Sequence, residues 1–143
     1  MKATTLNQYS VFLTNEAGTL HKFAEMLYRE GLDIVGFSSE VRYEAMVVKF
    51  IIEPLAPDFD MSSVSRLITK AGYTSVKTEV ICIEEEGRDG FIMTVGEILG
   101  KAGINITSVY GSCVGNKHGR VYLVVDHINR ALQLINNAPR RAA

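Results

Sequence analysis

Apolar positions recur along this chain with two spacings, and the order in which those spacings alternate predicts the fold. Tyr9 to Leu13 is a short β-rich run closed by Thr14-Asn15. Leu20, Phe23, Ala24 and Leu27 then fall at i, i+3, i+4 and i+7, the stripe of an amphipathic helix. Gly31 stops that helix in the manner of a left-handed helix end. Residues 34–43 and 45–52 are rich in β-branched and aromatic side chains and read as a hairpin, although its turn near Glu44 lacks Gly or Asn. Val64, Leu67, Ile68 and Ala71 repeat the helical stripe up to Gly72, and residues 74–83 read as a long strand. The order is strand, helix, strand, strand, helix, strand.

The same order then starts again. Val80 to Ile83 doubles as an opening strand, and Ile92, Val95 and Leu99 mark a helix. Residues 104–114 and 121–125 form a hairpin joined through Gly115 to Gly119, and Ile128, Ala131, Leu132 and Ile135 form a last helix. The glycines keep register, since Gly90 and Gly103 stand 72 residues after Gly18 and Gly31. A period of that length lies outside the ~20–50 residues of solenoid repeats and indicates two small domains in tandem. The expected domains are residues 1–78 and residues 79–143. The second copy runs out after its last helix, where Pro139 and two arginines replace a strand pattern. The spare run Ala3 to Gln8 is the candidate to fill that edge. Two split βαβ orders of this kind give an α+β fold, two ferredoxin-like βαββαβ repeats whose antiparallel sheets carry helices on one face.

Composition narrows the picture. The chain has 143 residues and a hydrophobic fraction of 47%, enough for a core, yet each half alone is near the lower limit for independent stability. The halves are therefore expected to pack on each other or on a second chain, which makes a homodimer the expected state. A net charge of −1 argues against a broad nucleic-acid footprint. Two cysteines make neither a disulfide framework nor a metal pattern. The N-terminus lacks a secretory apolar core, and no apolar run reaches the ~18 residues of a membrane span. These features predict a cytoplasmic protein with no membrane partner.

Asn15-Glu16-Ala17-Gly18-Thr19-Leu20 at a strand-to-helix turn, followed by Gly31-Leu32-Asp33-Ile34 before the next strand, resembles the ACT-domain family. The second copy, with Asp89-Gly90-Phe91-Ile92 and then Gly103-Ile104-Asn105-Ile106, resembles it too. The likeness spans about residues 8–136. It implies a regulatory module that binds a small ligand, typically an amino acid, at an interface between paired domains, with a biosynthetic enzyme or regulator as its listener. It also implies no catalysis and no cofactor.

Chemistry at the first turn agrees with that implication. A glycine lets the backbone approach a ligand closely, and the free N–H groups of a first helical turn suit a carboxylate. Asn15 carries both a donor and an acceptor, Asp33 suits an α-ammonium and Ile34 an apolar wall. The candidate ligand residues are therefore Asn15, Glu16, Ala17, Gly18, Thr19, Leu20, Asp33 and Ile34. The second set is Asp89, Gly90, Phe91, Ile92, Asn105 and Ile106. Gly87 stands in place of Asn15, Asp89 in place of Ala17 and Asn105 in place of Asp33, so the two sites should differ. A structural reading of the same residues has Asn15 capping the turn, Gly18 serving chain geometry and Asp33 solvated.

Other signals point away from chemistry. Gly96 to Ala102 has three residues between its glycines where a phosphate loop needs four, and Ala102 where Ser or Thr would reach magnesium. Those glycines read as small residues where a helix packs closely on the sheet. His21, His118 and His127 are scattered without a metal spacing, with His21 and Glu25 an ordinary i, i+4 pair and His118 in a hairpin turn. Ser38, Ser39, Ser112 and Cys113 lack a nucleophile elbow, and Cys113 reads as a small core residue. Glu84-Glu85-Glu86 reads as a solvated link. RNA-recognition domains share the βαββαβ order, but Gly119 to Val124 carries one aromatic where base stacking needs several. The expectation is a non-catalytic amino-acid sensor without metal or catalytic residues, and the alternative is a ligand-independent interaction or dimerisation module.

Overall fold

A computed structural model describes residues 1–86, 89–114 and 118–139. Its elements are β1 (Lys2–Thr14), α1 (Thr19–Arg29), β2 (Leu32–Arg42), β3 (Ala45–Pro54), α2 (Val64–Lys70) and β4 (Ser75–Glu86). They continue with α3 (Phe91–Lys101), β5 (Ile106–Val114), β6 (His118–Val125) and α4 (Ile128–Asn136). A single 3-10 turn, Met61–Ser63, leads into α2. The strand order is β2-β3-β1-β4-β6-β5. The chain divides into two compact units, one of Asn7–Thr78 and one of Met1–Leu6 with Glu79–Ala143.

In the Asn7–Thr78 unit, β3 is antiparallel to both β1 and β2. The register sets Tyr9 opposite Phe50 and Val11 opposite Val48, so period-two alternation places these residues on one face. Helices α1 and α2 cover that face with Phe23, Leu27, Val64 and Ile68, all fully buried. Phe23 stacks on Phe50 at 4.7 Å and meets Tyr73 edge-on at 5.0 Å, geometries favoured by ring quadrupoles. The predicted α1 stripe is only half core. Phe23 and Leu27 are buried, whereas Leu20 is 45% exposed and Ala24 lines the helix flank.

In the other unit, β6 is antiparallel to β4 and β5. Its core joins Ile81, Ile83, Val121 and Leu123 of the strands to Val95 and Leu99 of α3 and Ala131 and Ile135 of α4. Ala3 belongs to that core. The side-chain amide of Asn136 closes both hydrogen bonds to the Ala3 backbone, accepting from its N–H and donating to its carbonyl at 2.9 Å each. The start of β1 is thereby tied to the end of α4.

Several local readings are corrected. Gly96 and Gly100 do not mark close packing, because a Cβ at either position would meet nothing within 4 Å. His118 is the first residue of β6, opposite Val114 and Glu86, and not part of a turn. Glu25 bonds Arg29 at 2.8 Å instead of pairing with His21. Gly87, Arg88, residues 115–117 and the Cys113 side chain lie outside the described structure.

Three glycines should respond oppositely to alanine. At Gly111 a Cβ would stand 2.3 Å from the Arg120 carbonyl oxygen and 2.7 Å from Val121 Cα, both on the paired backbone of β6. Gly111→Ala is expected to cost about 1–3 kcal/mol as overpacking. Gly96→Ala and Gly100→Ala each remove a helix-interior glycine with open space beside it, and should add about 0.4–1 kcal/mol. Denaturant melts of the single variants check both signs. Asn136→Ala strips both bonds from Ala3, and its denaturant midpoint should fall by an amount worth about 1–3 kcal/mol.

Candidate ligand-binding site

The turn between β1 and α1 is built to leave donors free. Gly18 occupies the α1 N-cap position at φ 86°, and no side chain caps the helix. A left-handed residue just before a helix turns the chain sharply, and only glycine takes that conformation without strain. Thr19 is committed locally, its N–H at 3.3 Å and its hydroxyl at 3.0 Å from the Glu16 carbonyl. Asn15 donates its N–H to the Glu44 carbonyl at 3.2 Å, which ties the turn to the tip of the β2–β3 hairpin. The N–H groups of Ala17, Gly18, Leu20 and His21 have no acceptor among the described residues. They stand at the positive end of the helix dipole and are exposed, an arrangement that suits an anion.

Asp33 and Ile34 open β2 on the flank of α1. They line a cleft of about 340 Å³ together with His21, Ala24, Glu25 and Tyr28. Asp33 is exposed and its Oδ1 accepts the Ile34 N–H at 2.9 Å. The cleft thus combines two carboxylates with an apolar floor of Ala24 and Ile34. None of Asn15, Glu16, Ala17, Gly18, Thr19 and Leu20 lines it. Turn and cleft are distinct features along one helix, the first at its N-terminus and the second on its side. His21, Ala24, Glu25 and Tyr28 are absent from the sequence-derived set. Their signal was present, since they too fall at i, i+3, i+4 and i+7, one residue out of step with the core stripe.

The second helix start also has a left-handed glycine, in different surroundings. Gly90 is the N-cap of α3 at φ 72°, and Thr94 donates its N–H to the Gly90 carbonyl. Asp89 is exposed beside it, a charge of the wrong sign for an anion at this helix start. Phe91 is only 3% exposed and belongs to the core, leaving Ile92 on the surface. Asn105 gives its N–H to Asp126 Oδ1 at 3.1 Å, and Asp126 gives its own N–H to the Asn105 carbonyl. Ile106 packs against the core. Asp126 therefore already satisfies the backbone where β5 begins.

Other concavities belong to the unit of Met1–Leu6 and Glu79–Ala143. A groove of about 330 Å³ between α3 and α4 is lined mainly by apolar atoms, including Ile98, Leu134 and Pro139. A smaller notch joins Met1 and Lys2 to Glu84, Glu85, Glu86 and His118. The three glutamates are strand residues and not a free link, with Glu84 held by Arg120 Nε at 2.9 Å. That bond raises the Arg120 guanidinium above its ordinary pKa, and burial pushes the Tyr110 phenol up. Among the described residues no cluster of three or more His, Cys, Asp or Glu side chains could hold a metal. No helix among them is long and apolar enough to cross a membrane.

The sequence from residue 4 to residue 139 matches the family model described as an ACT domain pair. Among curated proteins none matches the chain. Among solved structures, protein BT0572 from Bacteroides thetaiotaomicron aligns with a TM-score of 0.80 at 18% identity, covering 94% of this chain and 88% of that one. The ligand-free regulatory subunit of aspartate kinase from Thermus thermophilus aligns at 0.60 and 11% identity, covering 95% and 96%. Aspartokinase III from E. coli, in complex with lysine and aspartate, aligns at 0.51 and 14% identity, covering 94% of this chain and 32% of that one. At these identities the likeness is one of fold.

The opposite placement of Phe91 and Leu20 is measurable. Phe91→Ala should cost about 3–5 kcal/mol in a denaturant melt as a core truncation. Leu20→Ala should stay within about 0.5 kcal/mol, as surface changes do.

Proposed function

The chain belongs to the ACT-domain family as a domain pair, and from that premise we propose that it is a non-catalytic regulatory protein of the cytoplasm that binds an amino acid. The observation that carries this reading is the Gly18 turn, where the N–H groups of Ala17, Gly18, Leu20 and His21 lack acceptors among the described residues, at the start of the same helix whose flank forms the Asp33 cleft. A free amino acid presents a carboxylate for such donors and an ammonium for a carboxylate such as Asp33, and because turn and cleft are distinct features of one chain the two groups would be met by the turn of one copy and the cleft of a second. Asn15, Glu16, Ala17, Gly18, Thr19, Leu20, Asp33 and Ile34 are the residues of this site, with His21, Glu25 and Tyr28 added by the cleft. The regulatory subunits of aspartate kinase among its structural likenesses make an enzyme of amino-acid metabolism the natural listener.

The two repeats are unequal in this reading. Asp89, the buried Phe91 and the Asn105–Asp126 pairing leave the second turn less suited to a zwitterion. One strong site per chain is proposed, with Asp89, Gly90, Ile92, Asn105 and Ile106 forming at most a weak one. The protein acts as a homodimer. Strand β2 ends the strand order, and it carries Phe37 at 67% exposure together with exposed Val41. An apolar edge of this kind calls for a partner, and a second copy placed there would close the cleft. Ligand binding between two copies then shifts the population of their arrangements, which a partner reads. The same exposed edge favours a second reading, a ligand-independent dimerisation or docking module.

A thermal-shift screen against the twenty amino acids tests the proposal. A ligand at 100 times its Kd adds about 2.7 kcal/mol, a rise of roughly 5–10 °C for a protein of this size. Gly18→Val places a branched side chain at the turn, at a conformational cost of about 1–2 kcal/mol, and should abolish that rise in a protein that still shows native circular dichroism. A flat response of the wild type to every amino acid would leave the docking module as the function.

A further inference from the structure

Gly96 and Gly100 have no role in the packing of their own chain, and we infer that they belong to a second contact surface, where the α3 flank and β5 edge of one copy meet the same elements of another. Glycine disfavours a helix, so two of them in one short helix weaken it unless something uses the bare backbone. Among the described residues nothing does, since a Cβ at either position would meet no atom within 4 Å. At 3.6 residues per turn the sides of α3 have different neighbours. Val95 and Leu99 enter the core, and Thr94, Ile98 and Lys101 line the groove shared with Leu134 of α4. Ile92, Gly96 and Gly100 take the remaining flank, which is exposed. Asn136 ties the end of α4 to Ala3 in β1, and the strand order runs from β1 through β4 and β6 to β5. Helix α4 therefore lies toward β1, and the flank of α3 turned away from α4 looks toward β5.

No strand lies beyond β5 among the described residues. Natural sheet edges are guarded by charge, proline or bulges. The β2 edge carries Asp33, Glu40 and Arg42, whereas the sequence from Ile104 to Val114 has no charge at all. After a register shift between Ile106 and Ser108 the β5 ladder runs unbroken to Val114. Such a strand can pair with its own copy without setting like charges side by side. Antiparallel pairing of two β5 strands about Tyr110 sets Val109, 54% exposed, opposite Gly111 of the second copy. Both residues are on the helix side of the sheet, because their ladder partners Leu123 and Val121 belong to the core. A two-fold contact repeats this fit of side chain over glycine on both sides of its axis, and the α3 glycines let the two helices approach beside it. The repeat gives the contrast. Seventy-two residues before Gly96 and Gly100 stand Ala24 and Tyr28, which line the Asp33 cleft. One repeat uses this helix flank for a cleft, and the other leaves it bare for a neighbouring copy. Together with the contact at β2, this surface builds an assembly larger than a dimer.

Sedimentation equilibrium of the full chain tests the inference, with the combined variant Gly96→Gln and Gly100→Gln and, on the other element, Val109→Lys. Glutamine favours a helix and lysine is an ordinary edge residue, so both proteins should keep native circular dichroism. Each should show half the mass of the wild-type assembly. A dimeric wild type whose variants are monomers would support this surface and remove the contact at β2. A wild type that stays monomeric at every concentration, or a wild-type mass kept by either variant, would overturn the inference.

Discussion

The hydrogen-bonded ladder of β1 is the constraint on which the rest depends. Met1–Leu6 fall in one compact unit and the strand from Asn7 in the other, so one strand serves both units. Ala3 enters one core while Tyr9, Val11 and Leu13 enter the other. A one-residue slip would turn each of these side chains to the wrong face. The pairing of Asn136 with both backbone groups of Ala3 fixes one end of that register, and the run of pairs from Gln8 opposite Ile51 to Thr14 opposite Ala45 fixes the other.

That register also sets the local chemistry. Because β1 ends against the β2–β3 hairpin, the following turn is held through Asn15 and Glu44. The chain must then reverse into α1 without a capping side chain, and Gly18 does so in the left-handed region. An uncapped helix start leaves polar N–H groups that only water or a ligand can satisfy.

The two units keep one pattern and differ in the side chains around it. Gly18 and Gly90 share a helix-start geometry, as Gly31 and Gly103 share a helix-end geometry. The differences lie in what fills the space around them. An open cleft accompanies the first turn, whereas Phe91 in the core and Asp126 at the start of β5 accompany the second. Membership of the ACT family describes both halves, and side-chain contacts distinguish them.

The element order, the repeat and the two glycine-opened helix starts were legible in the sequence, because they rest on local spacing and on conformations that glycine alone takes freely. Phe23, Leu27, Ala131 and Ile135 announced their cores through helical periodicity. Periodicity could not say which of two overlapping stripes on α1 faces inward, so Leu20 was assigned to the core side and the flank of His21, Glu25 and Tyr28 went unread. It could not tell Phe91 from Ile92, adjacent apolar residues 100° apart on a helix. Nor could it show that Gly96 and Gly100 face open space, since a small residue looks the same whether a neighbour crowds it or not. Tertiary structure decided these points because burial, cleft formation and the pairing of Asn136 with Ala3, 133 residues apart, depend on which segments meet in space, and local spacing carries no information about that.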